Sequence, residues 1–163
     1  SRASRAFYIN GSGTVHLRHF LIKTKKEMNK ITLSRLDHIR ILKNIDNAKL
    51  SGTINAAEAE ELLKELGNAT IVEPQDIPSD VVTMNSEVKI CFANTKKPVT
   101  FKIVYPEQAN IRENKISIFS PIATALIGYR VGDEIEWIVP AGLTRIRIED
   151  IIYQPEAAGE YDV

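Results

Sequence analysis

The feature that most constrains this chain is a change of hydrophobic period at Pro74-Gln75-Asp76-Ile77-Pro78. Before it, apolar residues recur at helical spacing. After it, they come in short β-branched and aromatic runs. Two prolines four apart end a helix, because each lacks a backbone donor and has a fixed φ. The expected class is α+β, with a linker over 73–79 and a sheet domain over 80–163. A chain of 163 residues has room for one such domain and a small helical appendage.

Ahead of the linker, the second of two helices is the clearer. Asn55 with Glu58 has capping-box spacing. Ala59, Leu62, Leu63 and Leu66 form one apolar stripe, which leaves Glu60, Glu61, Lys64 and Glu65 as the solvated face. Gly67 is expected to end the helix in a left-handed conformation. The first helix carries Leu36, Ile39, Leu42 and Ile45, with Ile41 widening the face. Ser34 caps it, with Asp37 three residues on. A turn over 49–53 joins the two. Residues 28–72 therefore read as a short antiparallel helical hairpin, with arms of about 12 residues or roughly 18 Å.

Beyond the linker, strands are expected over 88–93, 99–105, 116–119, 134–139 and 144–153. In the last, Arg145, Arg147 and Glu149 alternate with Ile146, Ile148 and Ile151, as on a half-buried strand. One short helix over 121–127 opens on Pro121 and stops at Gly128. The product is an antiparallel sheet packed around that helix.

Charge is divided unevenly. Residues 1–27 hold six basic side chains and one acid, and the remainder holds fifteen basic and twenty acidic. An acidic body lacks the electrostatic footprint of a general or sequence-specific nucleic-acid binder. Met28-Asn29-Lys30-Ile31 resembles a native start, so residues 1–27 are expected to be a non-native leader outside the fold. His16 and His19 in the leader lack the cysteine or carboxylate partners of a metal site. No apolar run is long enough for a membrane helix, and the lone Cys91 sits in a strand-like run as a buried, inert thiol. These features fit a cytoplasmic protein.

Chemistry-bearing arrangements are sparse. His38 has no activating partner in the sequence. Ser120 precedes a proline at a helix entrance and has no visible base. Phe101, Tyr105, Phe119 and Trp137 on or beside strands read as core. No catalytic, metal or cofactor set emerges.

An ordered set of residues carries more information. Pro78, 80–86, Val104-Tyr105-Pro106, Ser120-Pro121, Gly128, Val131-Gly132-Asp133 and Trp137 resemble the FKBP-like C-terminal domain of the Gre transcript-cleavage factors. The tail from Tyr153-Gln154-Pro155-Glu156 to Tyr161 resembles the branch of regulators of nucleoside diphosphate kinase, called Rnk. The resemblance covers about residues 73–161.

That resemblance implies RNA polymerase as partner, docked at the rim of its secondary channel. It places the contact at Phe119, Ser120, Pro121, Ile122 and Thr124, and implies competition with longer Gre-type factors. Gre factors insert a long coiled coil whose acidic tip helps hold a catalytic magnesium. Magnesium demands clustered hard oxygen ligands. This chain's tip offers Ser51, Gly52 and Thr53, with Asp46 before it and Glu58 after it. Short arms and dispersed acids argue for a non-catalytic regulator, which is expected to be a monomer. Two alternatives are a prolyl isomerase or chaperone using the FKBP-like fold, and a cleavage factor with Asp46 as its tip acid.

Overall fold

A computed structural model describes residues 3–9, 15–21, 31–54, 56–93, 95–139 and 142–163. Strands β1 (Ala3–Ile9) and β2 (Val15–Leu21) pair antiparallel, Ala3 opposite Leu21 and Ile9 opposite Val15. The sequence predicts no element there. The expected boundary between residues 27 and 28 and the expected cap at Asn55 lie outside the described residues.

The chain next forms β3 (Thr32–Ser34), α1 (Arg35–Ser51), α2 (Ala56–Gly67) and β4 (Thr70–Val72). β3 and β4 pair in parallel, with Thr32 opposite Thr70. This pairing holds the start of α1 beside the end of α2, so one helix runs out and the other returns. Ser34 caps α1 as expected, its Oγ accepting from the Asp37 N–H at 3.0 Å. The far end is a Schellman turn: Gly52 at φ 72°, its N–H bonded back to Lys49 and the Thr53 N–H to Ala48. Helix α1 has 17 residues, or about 25 Å at 1.5 Å each, longer than the expected arm.

Three local expectations are corrected. The inner face of α1 is Asp37, Ile41, Ile45 and Ala48, while Ile39 is exposed. Steps of four, four and three stay on one side of a helix, whereas repeated steps of three drift around it. Glu65, expected in solvent, is buried. Gly67 closes α2 without a positive φ. The stripe of Ala59, Leu62 and Leu66 is buried as expected.

After a 3₁₀ turn at Pro74–Asp76 come β5 (Glu87–Phe92), β6 (Pro98–Val104), β7 (Lys115–Ser117), α3 (Pro121–Leu126), β8 (Glu134–Val139) and β9 (Gly142–Tyr153). The sheet order is β7-β6-β5-β9-β8. All pairs are antiparallel except β6 with β7, which is parallel, so the sheet is mixed where an antiparallel one is expected. β1 lies alongside β8. One hydrophobic cluster runs from Leu33, Ile41, Ile45 and Leu66 through Met84 into Ile90, Ile103, Leu126 and Ile148. The helix pair and the sheet thus share a core.

Gly128 shows how closely they approach. It stands at φ 80°, its N–H bonds to the Val82 carbonyl, and its own carbonyl accepts from Thr32. A Cβ here would lie 2.6 Å from the Ile31 Cβ, so a larger residue is excluded by packing as well as by backbone conformation.

Candidate functional site

The expected site residues fall on two separate parts of the molecule. At the turn between the helices, Ser51, Gly52 and Thr53 are exposed, and the Ser51 and Thr53 hydroxyls hydrogen-bond to one another. Asp46 is exposed on α1, six residues before Gly52. Next to the turn, Leu50 is 88% exposed, a prominence the sequence reading passes over. Among the described residues, no group of three His, Cys, Asp or Glu side chains is arranged to hold a metal ion. The Glu58 side chain lies outside the described residues.

At the entrance to α3, Ser120 Oγ accepts from the Ala123 N–H at 3.3 Å, so its hydroxyl serves the helix cap. Phe119 and Ile122 are half-buried and pack against the core. Thr124 is buried, and its hydroxyl hydrogen-bonds the Ile118 and Ser120 carbonyls at 2.9 Å each. The surface at this edge therefore comes from Phe119, Ser120 and Ile122. The side chains of Pro121 and Trp137 lie outside the described residues. Phe101 and Tyr105 are core, as expected, while Cys91 is half-buried and His38 sits half-buried on α1.

A third arrangement, where the helix pair roots on the sheet, is not foreseen. Asp37 reaches inward, and its Oδ2 accepts from the Met84 N–H at 3.1 Å. One residue away, Thr83 Oγ1 donates to Glu156 Oε1 at 2.6 Å and lies 2.8 Å from Ser86 Oγ. Ser86 Oγ in turn accepts from the Thr83 N–H at 3.0 Å. Gln154 Nε2 donates to the Pro78 and Val81 carbonyls at 2.9 and 2.7 Å. The 81–86 segment and the tail at 154–156, which read as separate motifs, are thus two sides of one hydrogen-bonded seam.

Electrostatics follow from burial. Desolvation pushes the Asp37 carboxyl up to about 7, and the nearby Glu156 adds to the push. The Met84 N–H, Arg40 and Ser34 work in the opposite direction. Burial also raises Glu156, against its bond from Thr83. It likewise raises the Tyr105 hydroxyl, with Asp37 adding to the effect. The seam is a structural lock in which burial favours the protonated form of both Asp37 and Glu156. The phase of Asp37 with Ile41 and Ile45 is the sequence signal that marks it as inward-facing.

Comparison with known proteins places these features. The family described as "Transcription elongation factor, GreA/GreB, C-term" matches residues 77–153. The chain is 39% identical over 104 residues to the regulator of nucleoside diphosphate kinase of Escherichia coli K12, covering 63% of this chain and 76% of that protein. It is 39% identical over 103 residues to transcription elongation factor GreA of Clostridium acetobutylicum, covering 63% of this chain and 62% of the relative. Among solved structures, a GreA/GreB elongation factor from Nitrosomonas europaea superposes with a TM-score of 0.64 at 35% identity, over 76% of this chain and all of that one.

Proposed function

The chain belongs to the Gre-like family that includes the regulator of nucleoside diphosphate kinase, and from that premise we propose that it is a non-catalytic regulator of transcription that binds RNA polymerase. It docks at the rim of the secondary channel through its FKBP-like sheet domain and occupies the entrance, where it competes with longer Gre-type factors. It does not cleave transcript. The observation that carries the reading is the construction of the helical tip. Its apex is Ser51, Gly52 and Thr53, whose polar groups bond within the turn, and Asp46 lies back along α1. Two carboxylates presented together are what a tip needs to help hold magnesium.

The docking edge is Phe119, Ser120, Pro121 and Ile122 at the α3 entrance. It combines half-buried apolar groups with a helix start, a surface on which a partner helix can pack. Thr124 supports this edge from inside through its two carbonyl bonds.

A binding titration against core polymerase at fixed salt tests the reading. Ser120→Asp keeps an N-cap acceptor and adds a charge to the contact, so folding is preserved while affinity is expected to fall about tenfold. Ser51→Glu at the tip is expected to change affinity by less than about twofold. If folded Ser120→Asp binds like wild type and Ser51→Glu does not, the docking end is wrong. Arrested elongation complexes given this protein and magnesium are expected to show no added transcript shortening. Shortening that vanishes in Asp46→Asn would revive a cleavage role.

A further inference from the structure

A cleft of about 790 Å³ opens between α1 and the β6–β7 edge of the sheet, on ground that neither the tip nor the docking edge uses. Its walls are unlike the acidic body as a whole. Arg40 and Lys43 line it from α1, and Lys102 and Lys115 face them from β6 and β7. Glu107 is the acid in the wall, and Glu113 pairs with Lys115 at 3.1 Å from the neighbouring hollow. Among the described residues, Lys43 and Lys102 have no carboxylate within 4 Å, so the cleft keeps a net positive charge. Such convergence of cations from separate elements costs free energy through mutual repulsion unless an anion relieves it.

The rest of the lining has its own chemistry. Tyr105 is 7% exposed, and its hydroxyl is buried with no hydrogen bond of normal geometry. Asp37 and the Arg40 guanidinium act on it in opposite directions, Asp37 the more strongly. A buried hydroxyl without a well-formed hydrogen bond is costly, and a ligand oxygen can satisfy it. Tyr153 offers a half-buried ring, with the Lys102 ammonium 6.0 Å from its centroid. Asn44, Asn47 and Asn85 bring side-chain amides, each both donor and acceptor. The volume falls in the range of small-molecule sites.

We propose that this cleft binds a nucleoside di- or triphosphate, with Lys43, Lys102 and Arg40 on the phosphates and the Tyr153 ring and asparagine amides beside the base. Cations on opposing walls suit a compact polyanion better than a single phosphate. The aromatic ring and amides suit a base better than a bare inorganic chain.

The test uses the full chain without polymerase, so its failure leaves the docking proposal untouched. Calorimetric titration with ATP is expected to show saturable, salt-sensitive binding, with inorganic tripolyphosphate competing and adenosine alone binding more weakly. Lys43→Ala with Lys102→Ala is expected to raise Kd at least about tenfold, and Tyr105→Phe about threefold. Lys96→Ala, on an exposed turn away from the cleft, is expected to leave Kd unchanged. Circular dichroism establishes that each variant folds, and the two single lysine variants replace the double one if it does not. Absence of ATP binding up to millimolar concentration, or equal binding by the lysine variants, would overturn the proposal. So would displacement of ATP by a single-stranded RNA ten-mer at far lower concentration, because the occupant would then be a nucleic-acid strand.

Discussion

Asp37, near the start of α1, is 2% exposed and bonded to Met84 of the sheet domain, whereas Leu50, near the end of the same helix, is 88% exposed. The Asp37–Met84 hydrogen bond at the first end spans 47 residues along the chain. Those at the second end return to Ala48 and Lys49, or join Ser51 to Thr53. The contrast separates two kinds of stability in one helix. The root depends on the whole fold, and the tip depends on its own turn. The tip can therefore vary in sequence without unlocking the core.

The largest expected effect lies at the root. Leu33 is fully buried where β3 enters the common core, so Leu33→Ala is expected to cost about 2–5 kcal/mol in denaturant unfolding. A loss below about 1 kcal/mol would mean that the root relaxes as freely as the tip.

Next comes the dependence on pH. The folded-state pKa of Asp37 is raised from 3.8 to about 7, so the folded protein holds a proton that the unfolded chain releases. Stability from this group is therefore fully present below about pH 4 and is lost as pH rises towards about 7, with a ceiling of about 4 kcal/mol. Glu156, also raised, contributes with the same sign. Asp37→Asn keeps an acceptor for Met84 and removes the titration. Its stability relative to wild type is expected to climb across that window, as read by thermal midpoints at closely spaced pH values. Parallel curves for the two proteins would show that Asp37 is not locked in.

Ser34→Ala removes the cap of α1 and is expected to cost about 1 kcal/mol. At the other end, Leu50→Asp and Ser51→Ala are expected to stay within about 0.5 kcal/mol of wild type. A larger cost for either, measured by the same unfolding titration, would show that the tip packs on something and would erase the contrast.

Much of the fold is legible in local pattern. The stripe Ala59, Leu62 and Leu66, the Ser34 cap, the Ser120-Pro121 helix start and the strand over 134–139 follow from period and capping alone. The phase of α1 is harder to see. Leu36, Ile39, Leu42 and Ile45 are as apolar as the true inner face, and although steps of four put Asp37, Ile41 and Ile45 on one side of the helix, a carboxylate in that stripe reads against burial until the Met84 N–H of the sheet domain meets it. At the candidate docking edge, the residues are recognisable as a motif, but the inward turn of Thr124 depends on the carbonyls of Ile118 and Ser120.

By itself, the sequence determined that a mostly helical region gives way to a mostly sheet region across Pro74 and Pro78, since they withdraw donors and the hydrophobic period changes with them, while the β3–β4 pair ahead of them went unseen. It also marked the helix stop at Gly128, which takes a positive φ, whereas Gly67, read in the same way, does not. The tertiary structure decided what those elements mean to one another. It made β3 and β4 neighbours, set Thr83 against Glu156 across 73 residues, and turned Lys43 and Lys102 towards a single cleft. Local patterns report how a segment bends and which side it buries. Burial of a carboxylate, or convergence of cations, is a property of distant segments brought together, and its energy exists only once they meet.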